Sequence, residues 1–146
     1  MENILAEIQV SYHSSSKEKP KVSSSESAFE IFKSYWNDGR LELQEEFKII
    51  LLNRSNFVLG IYNLSMGGVS STIVDIKLIF AVALKCNASA IILCHNHPSG
   101  NLKPSDADKE ITKKIKQASE IFDIKLLDHI IITSNGYYSF QDNGIC

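Results

Sequence analysis

The chain has little cysteine, and what it has is not arranged for pairing. Cys86, Cys94 and Cys146 are odd in number and contain no close pair, so they supply no disulfide framework and point to a reducing compartment. No apolar run approaches the ~18 residues of a membrane span. The first residues, MENILAEIQV, lack the basic start and long apolar core of a secretory signal. We therefore expect a soluble, cytoplasmic protein with no membrane partner. Charge of one sign is not concentrated either: the formal net charge is −2 and the lysines are dispersed, which gives little support to a mainly electrostatic nucleic-acid binder. A basic patch assembled only in three dimensions stays open. No internal repeat is visible, and the Gly67-Gly68 pair lacks the spacing of a phosphate-binding loop.

What is present is an ordinary globular composition, with 44% hydrophobic and 22% charged residues in 146. A chain of that length buries roughly two-thirds of its unfolded surface. A metal would then serve function and not hold the fold together. Fold class has to come from pattern. Residues 4–12, ILAEIQVSY, alternate well enough to predict a strand, followed by a polar connector through residue 25. We take residues 1–25 as this arm and 26–146 as the main domain. Ser23 and Glu26 have capping-box spacing before a helix carrying Ala28, Phe32, Tyr35 and Trp36, which Asn37, Asp38 and Gly39 stop.

EEFKIILLN and NFVLGIYNLS predict an antiparallel hairpin, with apolar runs that suggest burial on both faces. Asp75 caps a helix over 76–86 that is apolar nearly all round and is expected to be central. ASAIILCHN reads as a buried strand. A helix over 105–122 has Ile111, Ile115, Ala118 and Phe122 as its inward stripe, and KLLDHIIIT and YYSF supply two final strands. The interleaving gives an α/β, mixed α+β architecture: a single layer of sheet packed against helices.

The chemistry concentrates in residues 94–108, CHNHPSGNLKPSDAD. Side chains two apart on a strand share a face, so His95 and His97 present imidazoles together while Cys94 and Asn96 point away. A Pro-Ser-Gly turn follows. Asp108, in the first turn of the next helix, can swing back as a third ligand, which leaves one position of a tetrahedral zinc open to water. The plainer account is also available: Ser105 and Asp108 have capping-box spacing, and acidic residues suit a helix start.

Taken together, His95, His97, Ser105 and Asp108 match the HxH, seven-residue, SxxD signature of the JAB/MPN+ (JAMM) metalloproteases. The flanks, HNHPSGNLKPSDAD and LLDHIII, resemble the RadC-type branch over roughly residues 40–146. That resemblance implies a curved mixed sheet between helices, the JAB/MPN (cytidine deaminase-like) architecture, with Zn2+ at one end. It implies a glutamate before an upstream strand: Glu-x-Phe spacing selects Glu45, with Glu46 read as a solvated strand end. It further implies amide hydrolysis, with His95, His97 and Asp108 holding zinc, Glu45 moving the proton and Ser105 donating to the oxyanion.

Asn96 stands where deubiquitinating relatives carry Ser or Thr, and no long insertion is evident, so ubiquitin cleavage is not inferred. Longer RadC-type members carry an N-terminal helix-hairpin-helix region linked by name to DNA repair. Here residues 1–40 offer only a strand, a connector and a helix, and no DNA partner is required. The two functions in view are a zinc-dependent peptidase or isopeptidase acting on a peptide or protein, and a non-catalytic accessory module associated with DNA repair or mobile DNA. The first strand can pair within its own domain or across a homodimer.

Other residues carry weaker signals. His129 reads first as a hydrogen-bonded structural histidine of its strand, with a role behind the metal or toward substrate as the alternative. Gly67, Gly68 and Ser70 form a loop that can border the cleft. A Cys94–His95 nucleophilic pair is disfavoured because adjacent strand residues point apart.

Overall fold

The computed structural model describes residues 4–14, 18–67 and 74–146. Within these residues there are four helices, α1 (Ser25–Tyr35), α2 (Asp38–Leu41), α3 (Ile76–Lys85) and α4 (Asp106–Ile121), and five strands, β1 (Glu46–Leu52), β2 (Val58–Met66), β3 (Ala90–Asn96), β4 (Lys125–Thr133) and β5 (Gly136–Ser139). The strands form one mixed sheet in the order β2-β1-β3-β4-β5. Only β3 and β4 run parallel, and α4 makes the crossover between them. The other neighbours are antiparallel. This is the mixed α/β architecture expected from the pattern.

Strand alternation divides the core into two layers. Ile50 and Leu52 of β1, Ile92 and Cys94 of β3, and Ile130 and Ile132 of β4 pack against Ala28, Phe32 and Trp36 around α1. Phe47, Ile49 and Leu51 of β1 and Ile91 and Leu93 of β3 pack on the other side against Ile79, Phe80 and Ala83 of α3 and Ile115 of α4. Strands β1 and β3 are buried at every position, because helices cover both faces. Each fully buried aliphatic side chain contributes roughly 1.5 to 3 kcal/mol. Strand β2, at the sheet edge, is buried only at Val58 and Leu64.

Several expectations change. Residues 4–14 form no strand; Ile4, Leu5, Ile8 and Val10 are exposed, so the alternation there has no sheet face to fill. Tyr12 ties the segment down through a hydroxyl that donates to the Leu59 carbonyl at 2.9 Å. Helix α1 is capped one residue later than predicted, by Ser24, with Ser27 and not Glu26 completing the box. Helix α3 is capped by Asp75 as expected but is not central: only Ile79, Phe80 and Ala83 are buried, and Leu84 is exposed. Helix α4 runs one residue short of the expected span at each end; of its expected stripe Ile115 is fully buried, while Thr112 and Ser119 are the other buried positions and Phe122 is half exposed. The expected Ile111 and Ala118 pack half-buried beside this stripe, and the helix turns a threonine as well as Ile115 toward the sheet. No described helix is long and apolar enough to cross a membrane.

Candidate metal centre

The site forms where β3 ends and α4 begins, at the carboxyl end of a parallel strand. His95 is the sixth residue of β3 and His97 follows its last. Residues 97–100 turn the chain, with the Gly100 N–H donating to the His97 carbonyl at 3.0 Å. Gly100 has φ +85, and a Cβ there would meet the Asn135 amide at 3.0 Å; both facts favour glycine. Ser105 then caps α4. Its hydroxyl oxygen accepts the Asp108 N–H at 3.0 Å, while Asp108 Oδ2 accepts the Ser105 N–H at 2.9 Å.

The cap leaves Asp108 able to serve as a ligand as well. The carboxylate that closes the box also reaches both histidines, with Oδ1 at 3.3 Å from His95 Nε2 and Oδ2 at 3.1 Å from His97 Nε2. The two Nε2 atoms are 3.0 Å apart. A tetrahedral zinc about 2.0 to 2.1 Å from its ligands separates them by roughly 3.3 Å. These donor separations, and the two-imidazole, one-carboxylate chemistry, fit such an ion. Among the described residues, His95, His97 and Asp108 are the group whose donor atoms, all within 4.8 Å, can hold a metal. His97 is oriented by the Asn101 carbonyl, 2.6 Å from its Nδ1; a carbonyl only accepts, so Nδ1 carries a hydrogen, and in the neutral ring Nε2 is left bare.

Electrostatics reflect this crowding. Burial alone would raise the Asp108 carboxyl, but in the metal-free chain the His95 and His97 rings, when protonated, donate to it and hold it well below the usual carboxylate range. Burial pushes the His97 imidazolium down, yet the Asp108 carboxylate, the Asn101 carbonyl and Glu45 together move it up.

Antiparallel pairing explains how Glu45 arrives. Phe47 lies opposite His95, so one alternation further places residue 45 across from residue 97, on the same face. The Glu45 carboxyl feels His95, Asp108 and His97. Burial raises it and Asp108 adds to that, against the pull of the two histidines, and the net shift is upward. Its backbone carbonyl accepts from Gly67 N–H at 2.8 Å. Gly67 thus abuts the Glu45 segment, whereas Gly68 and Ser70 lie outside the described residues.

Glu46 is not a solvated strand end. It is 2% exposed and turns to the α1 face, with Oε1 3.8 Å from Lys48 Nζ and 3.5 Å from Arg40 Nε. Lys48 in turn donates to Asn63 Oδ1 at 2.7 Å and lies 4.8 Å from the centre of the Trp36 ring. The pattern cannot report this, because the covering helix lies elsewhere in the chain. Cys94 is fully buried on that same face, and burial pushes its thiol well up. It is no nucleophile.

Three further residues surround the site. Asn96 donates its amide to the carbonyls of Leu41 and Gln44 and accepts the Glu46 N–H. His129, with 0% exposure, has Nε2 2.7 Å from His95 Nδ1 and Nδ1 2.6 Å from Thr112 Oγ1. Burial pushes its imidazolium well below the ordinary histidine range. The sequence signal for His129 was a polar residue inside a β-branched run; for Thr112 it was only the four-residue step from Asp108.

The chain is similar to known proteins over most of its length. The model of the RadC-like JAB domain matches residues 22–145. A UPF0758 protein of Flavobacterium johnsoniae is 54% identical over 125 residues, covering 86% of this chain and 53% of the relative. One from Porphyromonas gingivalis is 38% identical over 146 residues, covering 97% and 63%. Another, from Clostridium kluyveri, is 45% identical over 102 residues, covering 70% and 45%. The chain therefore spans less than two-thirds of the length of each of these curated relatives.

Proposed function

Since the chain belongs to the RadC-like JAB family, we propose that it is a zinc-dependent metallopeptidase or isopeptidase that hydrolyses an amide bond in a peptide or protein. The observation that carries this reading is the convergence of His95, His97 and Asp108 in one cluster, with the carboxyl of Glu45 in its field. Zinc bound there supplies Lewis acidity and brings the pKa of a water toward ~7. Glu45 takes the proton of the attacking water and delivers it to the leaving amine. A carboxyl that accepts a proton from the water can return it to the leaving amine, so one residue serves both halves of that transfer. Ser105 uses an oxygen lone pair for the cap, so its O–H remains to donate to the developing oxyanion.

The test is metal analysis of protein prepared without chelator, followed by a peptide-library cleavage assay comparing wild type with Glu45→Gln. Stoichiometric zinc in both, with cleavage only in wild type, is the expected result. Absence of zinc, or equal cleavage by the variant, would overturn the proposal. DNA binding at physiological salt without peptide cleavage would replace it with an accessory role in DNA repair or on mobile DNA.

A further inference from the structure

We propose that Thr112 and His129 are positioning residues that set the tautomer of His95 and so present its Nε2 as a bare ligand nitrogen. This rests on the metal-binding reading above. The chain of hydrogen bonds has one polarity, and it is dictated from a backbone carbonyl. Thr112 Oγ1 donates to the Asp108 carbonyl at 2.6 Å. A carbonyl can only accept, and a threonine hydroxyl has a single hydrogen, so Thr112 can only accept from its other neighbour. That neighbour is His129 Nδ1, at 2.6 Å; it must therefore carry a hydrogen.

In the neutral His129 ring, Nε2 is then bare, and it lies 2.7 Å from His95 Nδ1. His95 must supply the hydrogen from Nδ1. In the neutral ring its own Nε2 is left without one, facing His97 Nε2 at 3.0 Å and Asp108 Oδ1 at 3.3 Å. Water cannot substitute at any link, because Thr112, His129 and His95 are 2%, 0% and 1% exposed. Asp108 stands at both ends: its carboxylate faces the cluster and its carbonyl anchors the relay. Helix α4 thereby controls a histidine on β3 through one on β4, and neither partner lies within the 94–108 stretch.

Removing the anchor should invert the relay. In Thr112→Val the shape is kept, but His129 Nδ1–H loses its acceptor. The ring then gains by moving its hydrogen to Nε2 and donating to His95 Nδ1, which shifts the His95 hydrogen onto the ligand nitrogen. Zinc must compete with that hydrogen. Loss of such a partner lowers metal affinity by roughly 10- to 100-fold.

The experiment is two-bond 1H–15N NMR of the histidine rings in the metal-free 146-residue chain, above the histidine titration range, together with zinc affinity measured by chelator competition. The expected result is Nδ1–H for both His95 and His129 in wild type, Nε2–H for His95 in Thr112→Val with weakened zinc binding, and wild-type behaviour in Thr112→Ser. An Nε2–H tautomer at His95 or His129 in metal-free wild type would overturn the relay, whether or not the valine variant folds. So would a folded valine variant with wild-type tautomers and affinity. Wild type that binds no zinc yet shows both Nδ1–H rings would overturn the metal reading while supporting the relay. Zinc binding with the wrong tautomers would do the reverse.

Discussion

The side-chain carbonyl of Asn96 accepts the backbone N–H of Glu46 at 2.7 Å, while the amide of the same side chain donates to the carbonyls of Gln44 at 2.9 Å and Leu41 at 2.7 Å. Glu45 sits between two clamped residues. The histidine pair and the glutamate approach from different strands, and the residue between the histidines holds the backbone that carries the glutamate. Pointing away from the cluster is therefore what lets Asn96 serve it.

Asn96→Leu keeps the size of the side chain but leaves three backbone groups without partners. Unfolding stability should fall by about 2 to 4 kcal/mol, read from denaturant titration. Zinc affinity should hold, while kcat for peptide cleavage falls by roughly 10²-fold as Glu45 loses its placement. An unchanged unfolding midpoint would show that the clamp contributes nothing.

Ser105 caps α4, and the proposed function gives it a second, separable role. Ser105→Ala should cost about 1 kcal/mol of stability through the lost cap, and lower kcat by about 10²- to 10³-fold through the lost oxyanion donor. Ser105→Thr retains a hydroxyl and should recover most of both. Steady-state kinetics on the alanine variant decide the matter: a wild-type kcat would leave Ser105 a cap and nothing more.

Zinc should stabilise the chain without being needed for folding, because the two core layers do not involve the metal. Chelator-treated protein should melt cooperatively. Free zinc at a hundred times Kd should then add about 2.7 kcal/mol. His97→Ala should abolish that increment. Thermal melts with and without zinc test this, and an unfolded zinc-free chain would instead make the metal structural.

Asp128 supplies a pH dependence away from the cluster. Burial raises its carboxyl, against the hydrogen bonds of Ser139, Gln141 and His129, which lower it. The net shift is upward, so the fold opposes ionisation. Its contribution to stability is greatest below the ordinary value of 3.8 and is lost as pH rises through the raised folded value. Asp128→Asn retains the Oδ1 acceptor for His129 N–H and Gln141 N–H and cannot ionise. The stability of the variant relative to wild type should rise across that window and then level off in a pH series of denaturant titrations. A difference independent of pH would contradict the assignment.

How much was legible in the sequence depends on the reach of the signal. The buried strands β1, β3 and β4 appear as apolar runs, and the cap of α4 as Ser105 and Asp108, because pleat and capping geometry act over a few residues. The shared face of His95 and His97 follows from the same alternation. Over residues 4–12 alternation misleads: a period-2 pattern states that a strand has two faces, but not that a sheet exists to bury one. For α4, the apolar positions find Ile115 and the flanking Ile111 and Ala118 but miss the buried polar positions Thr112 and Ser119, one of which stands beside His129.

By itself, then, the sequence determined the mixed α/β pattern, the histidine pair and the capped helix start, all consequences of local backbone geometry. Tertiary structure alone decided the burial of Glu46 against Lys48, the clamp from Asn96 to residues 41–46, and the line from Thr112 through His129 to His95. Those contacts depend on strand register and on the rotation of helices against the sheet. Both are set by packing between segments far apart in the chain, where no short stretch of residues holds both partners.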